Sequence, residues 1–183
     1  MRAFSMLARR LAIDFGFFKV WEERLVNPRN GHEGDYYTID CPDWAVVVPY
    51  TTDGDLVMVK QWRFGARVVT IELPGGLIDE GEAPEEAAER ELLEETGCRA
   101  ERWTALGWIH PNPANQRNRC HVFLAEGCAW VGGQALDTGE DIEIVRVTEG
   151  SLASLLDEGG VTHAVVLAAL HLADRARRGV GHA

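Results

Sequence analysis

Gly76-Leu77-Ile78-Asp79-Glu80-Gly81-Glu82-Ala83-Pro84-Glu85-Glu86-Ala87-Ala88-Glu89-Arg90-Glu91-Leu92-Leu93-Glu94-Glu95-Thr96-Gly97-Cys98 decides how this chain is read. Pro84 suits the first turn of a helix, where its missing N–H costs nothing, and Gly97 suits the stop after the last turn, so the spacing predicts a helix over 84–96. Nine acidic residues and one basic residue, Arg90, lie from Asp79 to Glu95. A solvated face would explain an arbitrary run of charge, but this run is spaced differently. At 100° per residue, Glu91, Glu94 and Glu95 fall within about 100° of one another, and like charges at i, i+4 destabilise a helix unless something positive lies between them. A divalent cation held by hard oxygen ligands, Mg²⁺ or Mn²⁺, meets that need and also binds substrate phosphates. Arg90, four residues before Glu94, can pair with it. Glu82, in the loop after Gly76, can fold back toward Arg90 in a positioning role.

The rest of the chain frames this helix. Its 183 residues, 46% hydrophobic and 26% charged, have the make-up of an ordinary soluble protein with one core, so a single domain over 1–183 is expected. A formal charge of −11 argues against nucleic acid or an anionic membrane as partner, and an anionic substrate would need a cation to bring it in. No apolar run reaches the roughly 18 residues of a membrane span. Near the N-terminus Arg2, Arg9 and Arg10 interrupt short apolar stretches, unlike the continuous core of a secretory signal, which points to a cytoplasmic protein. Cys41, Cys98, Cys120 and Cys128 are scattered without a C-x-x-C and read as reduced thiols.

Extended stretches at 17–26, 35–41, 44–51, 56–63 and 69–73 are separated by turn signals such as Asn27-Pro28-Arg29-Asn30-Gly31 and Asp53-Gly54-Asp55. After the helix come strands at 103–108, 120–125 and 142–147, a short helix at 152–157, and a last helix that Thr162 would cap, running to about Arg178. This order predicts an α/β fold with a mixed β-sheet covered by helices.

The quoted stretch resembles the Nudix box, G-x5-E-x7-R-E-U-x-E-E-x-G-U with U a bulky aliphatic residue, and every fixed letter is present at its spacing. Cys98 alone departs, a small apolar residue at a packing position. The resemblance implies a Nudix-type α/β/α sandwich that hydrolyses a nucleoside diphosphate linked to another group, with Mg²⁺. It implies Glu91, Glu95 and the backbone carbonyl of Gly75 as metal ligands, with Glu94 beside them. Upstream, Gln61-Trp62-Arg63 and Glu72-Leu73-Pro74-Gly75-Gly76 are similar to the Q-x-R and E-L-P-A-G segments of Nudix enzymes that cleave ADP-ribose and other nucleotide sugars.

Arg63 suits a bidentate grip on a diphosphate. Downstream, Pro113 falls near the marker proline of ADP-ribose pyrophosphatases. The loop around it, with Asn115 and Arg117, is rich in amides and arginines and widens the plausible substrates to ADP-glucose or GDP-mannose types. In the acidic segment 137–143, Glu140 is the candidate base or further ligand, with Asp137 in reserve. The resemblance also implies a homodimer whose N-terminal strands, about 15–41, contribute aromatics to the base, making Trp21, Tyr36 and Tyr37 candidates. A nucleoside triphosphate pyrophosphatase and a non-catalytic nucleotide-sugar sensor are the alternatives.

Overall fold

The computed structural model describes residues 2–179. They form two compact units, the first made of 2–43 with 110–119 and the second of 44–109 with 120–179.

The first unit is an antiparallel three-stranded sheet, β1 (Ser5–Asp14), β2 (Lys19–Val26) and β3 (Glu33–Asp40), in chain order. The second and third strands lie within two residues of their predicted ends. Strand β1 was not foreseen, because Arg9-Arg10 breaks its apolar alternation. Pairing supplies the reason it forms: Arg9 lies opposite Glu23 and Arg10 opposite Glu22 on β2, and both pairs are salt bridges. Residues 110–119 are tied to the far edge of this sheet, where Ile39 donates its N–H to Asn115 O at 2.7 Å and Arg117 N–H returns to Ile39 O at 3.1 Å.

The second unit begins with β4 (Trp44–Thr51), β5 (Leu56–Arg63), β6 (Val68–Glu72) and β7 (Gly75–Leu77). It continues with α1 (Pro84–Thr96), β8 (Cys98–Arg99), β9 (Arg102–Ile109), β10 (Cys120–Trp130), β11 (Ile142–Val147), α2 (Glu149–Asp157) and α3 (Ala164–Arg177). The sheet runs β11-β5-β4-β10-β8, with β6 on β5, β7 on β4 and β9 on β10. Only the β4–β10 pair is parallel, so the sheet is mixed, as predicted.

Alternation along β4 divides the core. Val46 and Val48 join the cluster that includes Val166, Ala169 and Leu170 of α3, while Ala45 and Val47 join Ala87, Ala88 and Leu92 of α1. Helices therefore cover both faces. Cys98, at the one departing position of the box, is fully buried in the α1 cluster. The last helix starts one residue later than expected, with His163 rather than Thr162 at its N-cap.

The feature that builds the site is a splay in the β4–β5 hairpin. The two strands pair only at Tyr50–Leu56 beside their turn. Farther along, β5 takes β6 as partner and β4 takes β7. Pro74 lies at the crossing and, lacking an N–H, offers its carbonyl to Val47 N at 2.9 Å. Gly75 follows at φ 154, where an added Cβ would strike the Ala45 carbonyl oxygen and lie 2.9 Å from Val46 Cα. Gly75→Ala is thus expected to cost about 1–3 kcal/mol through overpacking and backbone strain, read as a lower urea midpoint at unchanged m-value. A midpoint equal to that of the parent would mean that β4 yields freely at Ala45.

Candidate active site

Helix α1 runs over Pro84–Thr96 as the spacing predicted. Gly97 closes it in the left-handed conformation, φ 69, with its N–H on Leu93 O. Its buried residues are Ala87, Ala88, Glu91, Leu92, Glu95 and Thr96, a stripe at helical period that carries two carboxylates inward with the alanines and the leucine. Glu91 is 8% and Glu95 3% exposed.

The Gly75-Gly76 turn makes room for them. Glu95 Oε2 accepts the Gly75 N–H at 2.9 Å. At Gly76 an added Cβ would come within 2.6 Å of the Glu91 carboxyl carbon, so glycine there lets the carboxylate lie against the turn. Burial raises the pKa of both acids. For Glu95 burial, with Glu91 and Glu140 adding repulsion, outweighs the Gly75 hydrogen bond and the Arg63 charge, and the pKa is pushed up to about 8. For Glu91 burial outweighs the favourable contacts from Arg90.

Arg90 organises the rest. Its Nε and Nη2 bind the two oxygens of Glu82 at 2.8 and 2.9 Å, and Nη1 reaches Glu91 at 2.8 Å and Glu94 at 3.1 Å. Nη2 also donates to the Leu77 carbonyl at 3.0 Å. The Arg90 hydrogen bonds hold the Glu82 carboxyl below its usual range. The fold-back of Glu82 and the Arg90–Glu94 pair thus form as predicted. Glu140 lies in the loop before β11, where its carboxylate accepts the Asp137 N–H at 3.1 Å, and it is close enough to act electrostatically on Glu91, Glu95 and Arg63. The second unit therefore brings together Gly75, Glu82, Arg90, Glu91, Glu94, Glu95, Glu140 and Arg63.

Sequence reasoning missed the partner of Arg63. Arg63 binds Glu72 through both Nε and Nη2, at 2.8 and 2.7 Å. Glu72 is nearly sealed from water, with 3% of its side chain exposed against 39% for Arg63. Burial works to raise the Glu72 pKa, but the hydrogen bonds of Arg63 and Thr70 prevail and hold it below the usual range. The signal was present as a lone acid in the strand 68–72, between Ile71 and Leu73.

The remaining candidates belong to the first unit. Arg117 donates to the buried Glu23, which Arg9 also meets at 3.1 Å. Asn115 is exposed, and its carbonyl serves Ile39. Trp21 lies under the Arg9 guanidinium, 3.8 Å from the ring centre, with its buried Nε1 lacking a hydrogen-bond partner. Tyr37 is exposed and donates to Glu22 at 3.4 Å. Tyr36 packs edge-on against Phe4.

A model of the Nudix domain matches residues 42–170. The chain belongs to the Nudix family. The ADP-ribose pyrophosphatase of Bacillus subtilis (strain 168) is 34% identical over 120 residues, 65% of this chain and 65% of that protein. The chain thus spans slightly less than two thirds of that relative. The ADP-ribose pyrophosphatase of Escherichia coli (strain K12) is 27% identical over 169 residues, 85% of this chain and 80% of that protein. The crystal structure of an ADP compounds hydrolase superposes with a TM-score of 0.84 at 24% identity, covering 100% of this chain and 98% of that one, which confirms the fold.

Nudix hydrolases generally use divalent metal ions, and the donor set here fits one. Glu91 and Glu95 are buried acids whose pKa values burial raises, and a cation bound between them would favour their charged form. Among the described residues no three acidic, histidine or cysteine side chains already converge as a metal cage. Arg90 engages Glu91 and Glu94, and the Gly75 amide engages Glu95.

The raised pKa of Glu95 has a sign that can be tested. A folded-state value near 8, above the roughly 4.3 of an unfolded chain, means that protonated Glu95 favours folding. That contribution is whole below the unfolded pKa and is lost as pH rises toward 8. Glu95→Gln does not titrate and can still accept the Gly75 N–H. In chelator, its melting temperature should therefore gain on the parent between about pH 5 and 8 and hold that gain above. Parallel melting curves for the two proteins from pH 5 to 9 would show that Glu95 ionises at no cost to folding.

Proposed function

We propose that this protein hydrolyses the diphosphate bond of a nucleoside diphosphate sugar, of the ADP-ribose, ADP-glucose or GDP-mannose type, to a nucleoside monophosphate and a sugar phosphate. Mg²⁺ is its ion, and Mn²⁺ can substitute. The observation that carries this reading is the clustering of Glu91, Glu94, Glu95 and Glu140 near Arg63, a cationic side chain held along one edge by Glu72 and partly open to solvent. The names of the two pyrophosphatase relatives support the substrate class.

Attack on phosphorus is resisted by the charge of the diphosphate itself, which Mg²⁺ would neutralise while activating water and stabilising the leaving phosphate. Glu91, Glu95 and the Gly75 carbonyl would hold the ion, with Glu94 beside them. Arg90, bound by Glu82, sets the orientation of Glu91 and Glu94. Glu140, on an exposed loop rather than in the packed helix stripe, would take the proton of the attacking water. Arg63 would meet the diphosphate. In the first unit Trp21, Tyr37, Asn115 and Arg117 are proposed to contact the base and sugar.

The N-terminal sheet is proposed to form a homodimer. Met6, Leu7, Leu11 and Ile13 of β1 are each more than 40% exposed, and exposed apolar residues gathered on one element suit an interaction surface. We also infer a cytoplasmic location from the four free cysteines. The net charge of −11 speaks against nucleic acid as partner, and among the described residues no helix is long and apolar enough to cross a membrane.

A panel of nucleotide sugars with products identified by mass tests the activity. A nucleoside monophosphate with a sugar phosphate is the expected pair, and pyrophosphate released from a nucleoside triphosphate would redirect the reading. Chelator should abolish turnover while the far-ultraviolet dichroism stays unchanged, because the apolar clusters on both faces of the sheet form without an ion. Glu140→Gln should lower kcat by about 10²- to 10⁴-fold, the range for loss of a general base, with metal affinity retained. Turnover equal to that of the parent would move the base to Asp137.

A further inference from the structure

The hydrogen bonds around Glu72 point to a residue that acts on substrate binding without touching substrate. Thr70 and Glu72 lie on one face of β6, facing Gln61 and Val59 of β5, and the Thr70 side chain is buried with them. Glu72 Oε1 accepts from both the Thr70 hydroxyl and Arg63 Nε, while Oε2 accepts from Arg63 Nη2. The hydroxyl has one other acceptor in reach, the Gln61 carbonyl, at a longer 3.4 Å.

Two consequences follow from this geometry. Side-on engagement through Nε and Nη2 uses one edge of the guanidinium and leaves Nη1 with no acceptor among the described residues. That free group belongs to a side chain close enough to Glu95 and Glu140 to feel both charges. The fork is also only as well aimed as the carboxylate that receives it. A carboxylate can turn about its last bond, and the guanidinium must turn with it to keep both hydrogen bonds. The Thr70 hydroxyl, fixed by the strand, removes that freedom.

We propose that Thr70 is a positioning residue, which locks the Glu72 carboxylate and through it presents the free edge of Arg63 to a diphosphate. This rests on the reading of Arg63 as the group that meets the diphosphate.

Thr70→Val removes the hydroxyl but keeps a β-branched side chain suited to a strand, and Thr70→Ser restores the hydroxyl. Each variant is first shown to be folded by its melting curve. In the parent, the Nε–H of Arg63 should give a sharp, exchange-protected signal in a ¹⁵N–¹H spectrum, assigned by its absence in Arg63→Lys. Thr70→Val should broaden or erase that signal and Thr70→Ser should keep it, a difference that packing alone would not produce. With a nucleotide sugar, Thr70→Val should raise KM about two- to tenfold, the range of one net hydrogen bond, with kcat within about twofold, because the interaction serves ground state and transition state alike. Thr70→Ser should return KM to the parent value.

A sharp Arg63 signal in Thr70→Val, or a KM equal to that of the parent, overturns the proposal. The spectrum needs no substrate. If no nucleotide sugar is hydrolysed, the functional reading fails while the Arg63 signal still decides whether Thr70 holds the arginine.

Discussion

Two carboxylates packed against a pair of glycines set the terms for the rest of the second unit. Glu91 and Glu95 face inward from α1, and an acid in that position is costly unless its oxygens are met. The surroundings answer in three ways. The Gly75 amide donates to Glu95. Gly76 has no Cβ where the Glu91 carboxylate must sit. Arg90 adds a positive charge shared among Glu82, Glu91 and Glu94. That turn can approach the helix only because β4 and β5 separate after a single paired position and leave room for Pro74 between them. The splayed hairpin, the left-handed helix stop and the acidic stripe are therefore parts of one solution to the placement of charge inside a core.

How legible this was depended on the range of the interaction. The box is read along one helix, where spacing fixes which residues share a face, so Pro84–Thr96, Gly97 and the contacts of Arg90 with Glu82 and Glu94 could be read directly. Strands β4, β5 and β11 were found to the residue, because apolar alternation and turn residues are also local signals. Contacts that need strand register were beyond reach. Arg63 could be recognised as an unusual cation, but its bond to Glu72 depends on β5 lying beside β6. Likewise Arg117 was read as a free donor in a polar loop, whereas the structure gives it a buried acid, Glu23, more than ninety positions earlier. Strand β1 escaped because its arginines look unfavourable until Glu22 and Glu23 stand opposite. Strands β7 and β8, with three and two residues, are too short to show a period at all.

The two arginines of the second-unit cluster are used in opposite ways. Arg90 spends its donors on acids and one carbonyl, making it an internal counter-ion for a crowded helix. Arg63 is tied along one edge only, by a buried acid that pins it without covering it. Under the proposed activity a strongly acidic protein needs both kinds of cation, one to let its carboxylates stand together and one to receive the anion they would otherwise repel.

The parallel pairing of β4 with β10 also bears on how the chain reaches this state. Trp44 lies beside Cys120 and Thr51 beside Cys128, so the strand at the centre of the sheet, already met by β5 and β7, gains its neighbour on the other edge only when a distant part of the chain arrives. Helix α1 lies between them in sequence and packs on Phe123 and Ala125 of β10. Closing so long a loop costs entropy before any contact rewards it, and folding slows accordingly. On the ribosome, α1 emerges well before the strand that covers it. During that interval its acids remain solvated and ionised, so the helix passes through synthesis as a charged, soluble segment and becomes a desolvated one in a late, cooperative step.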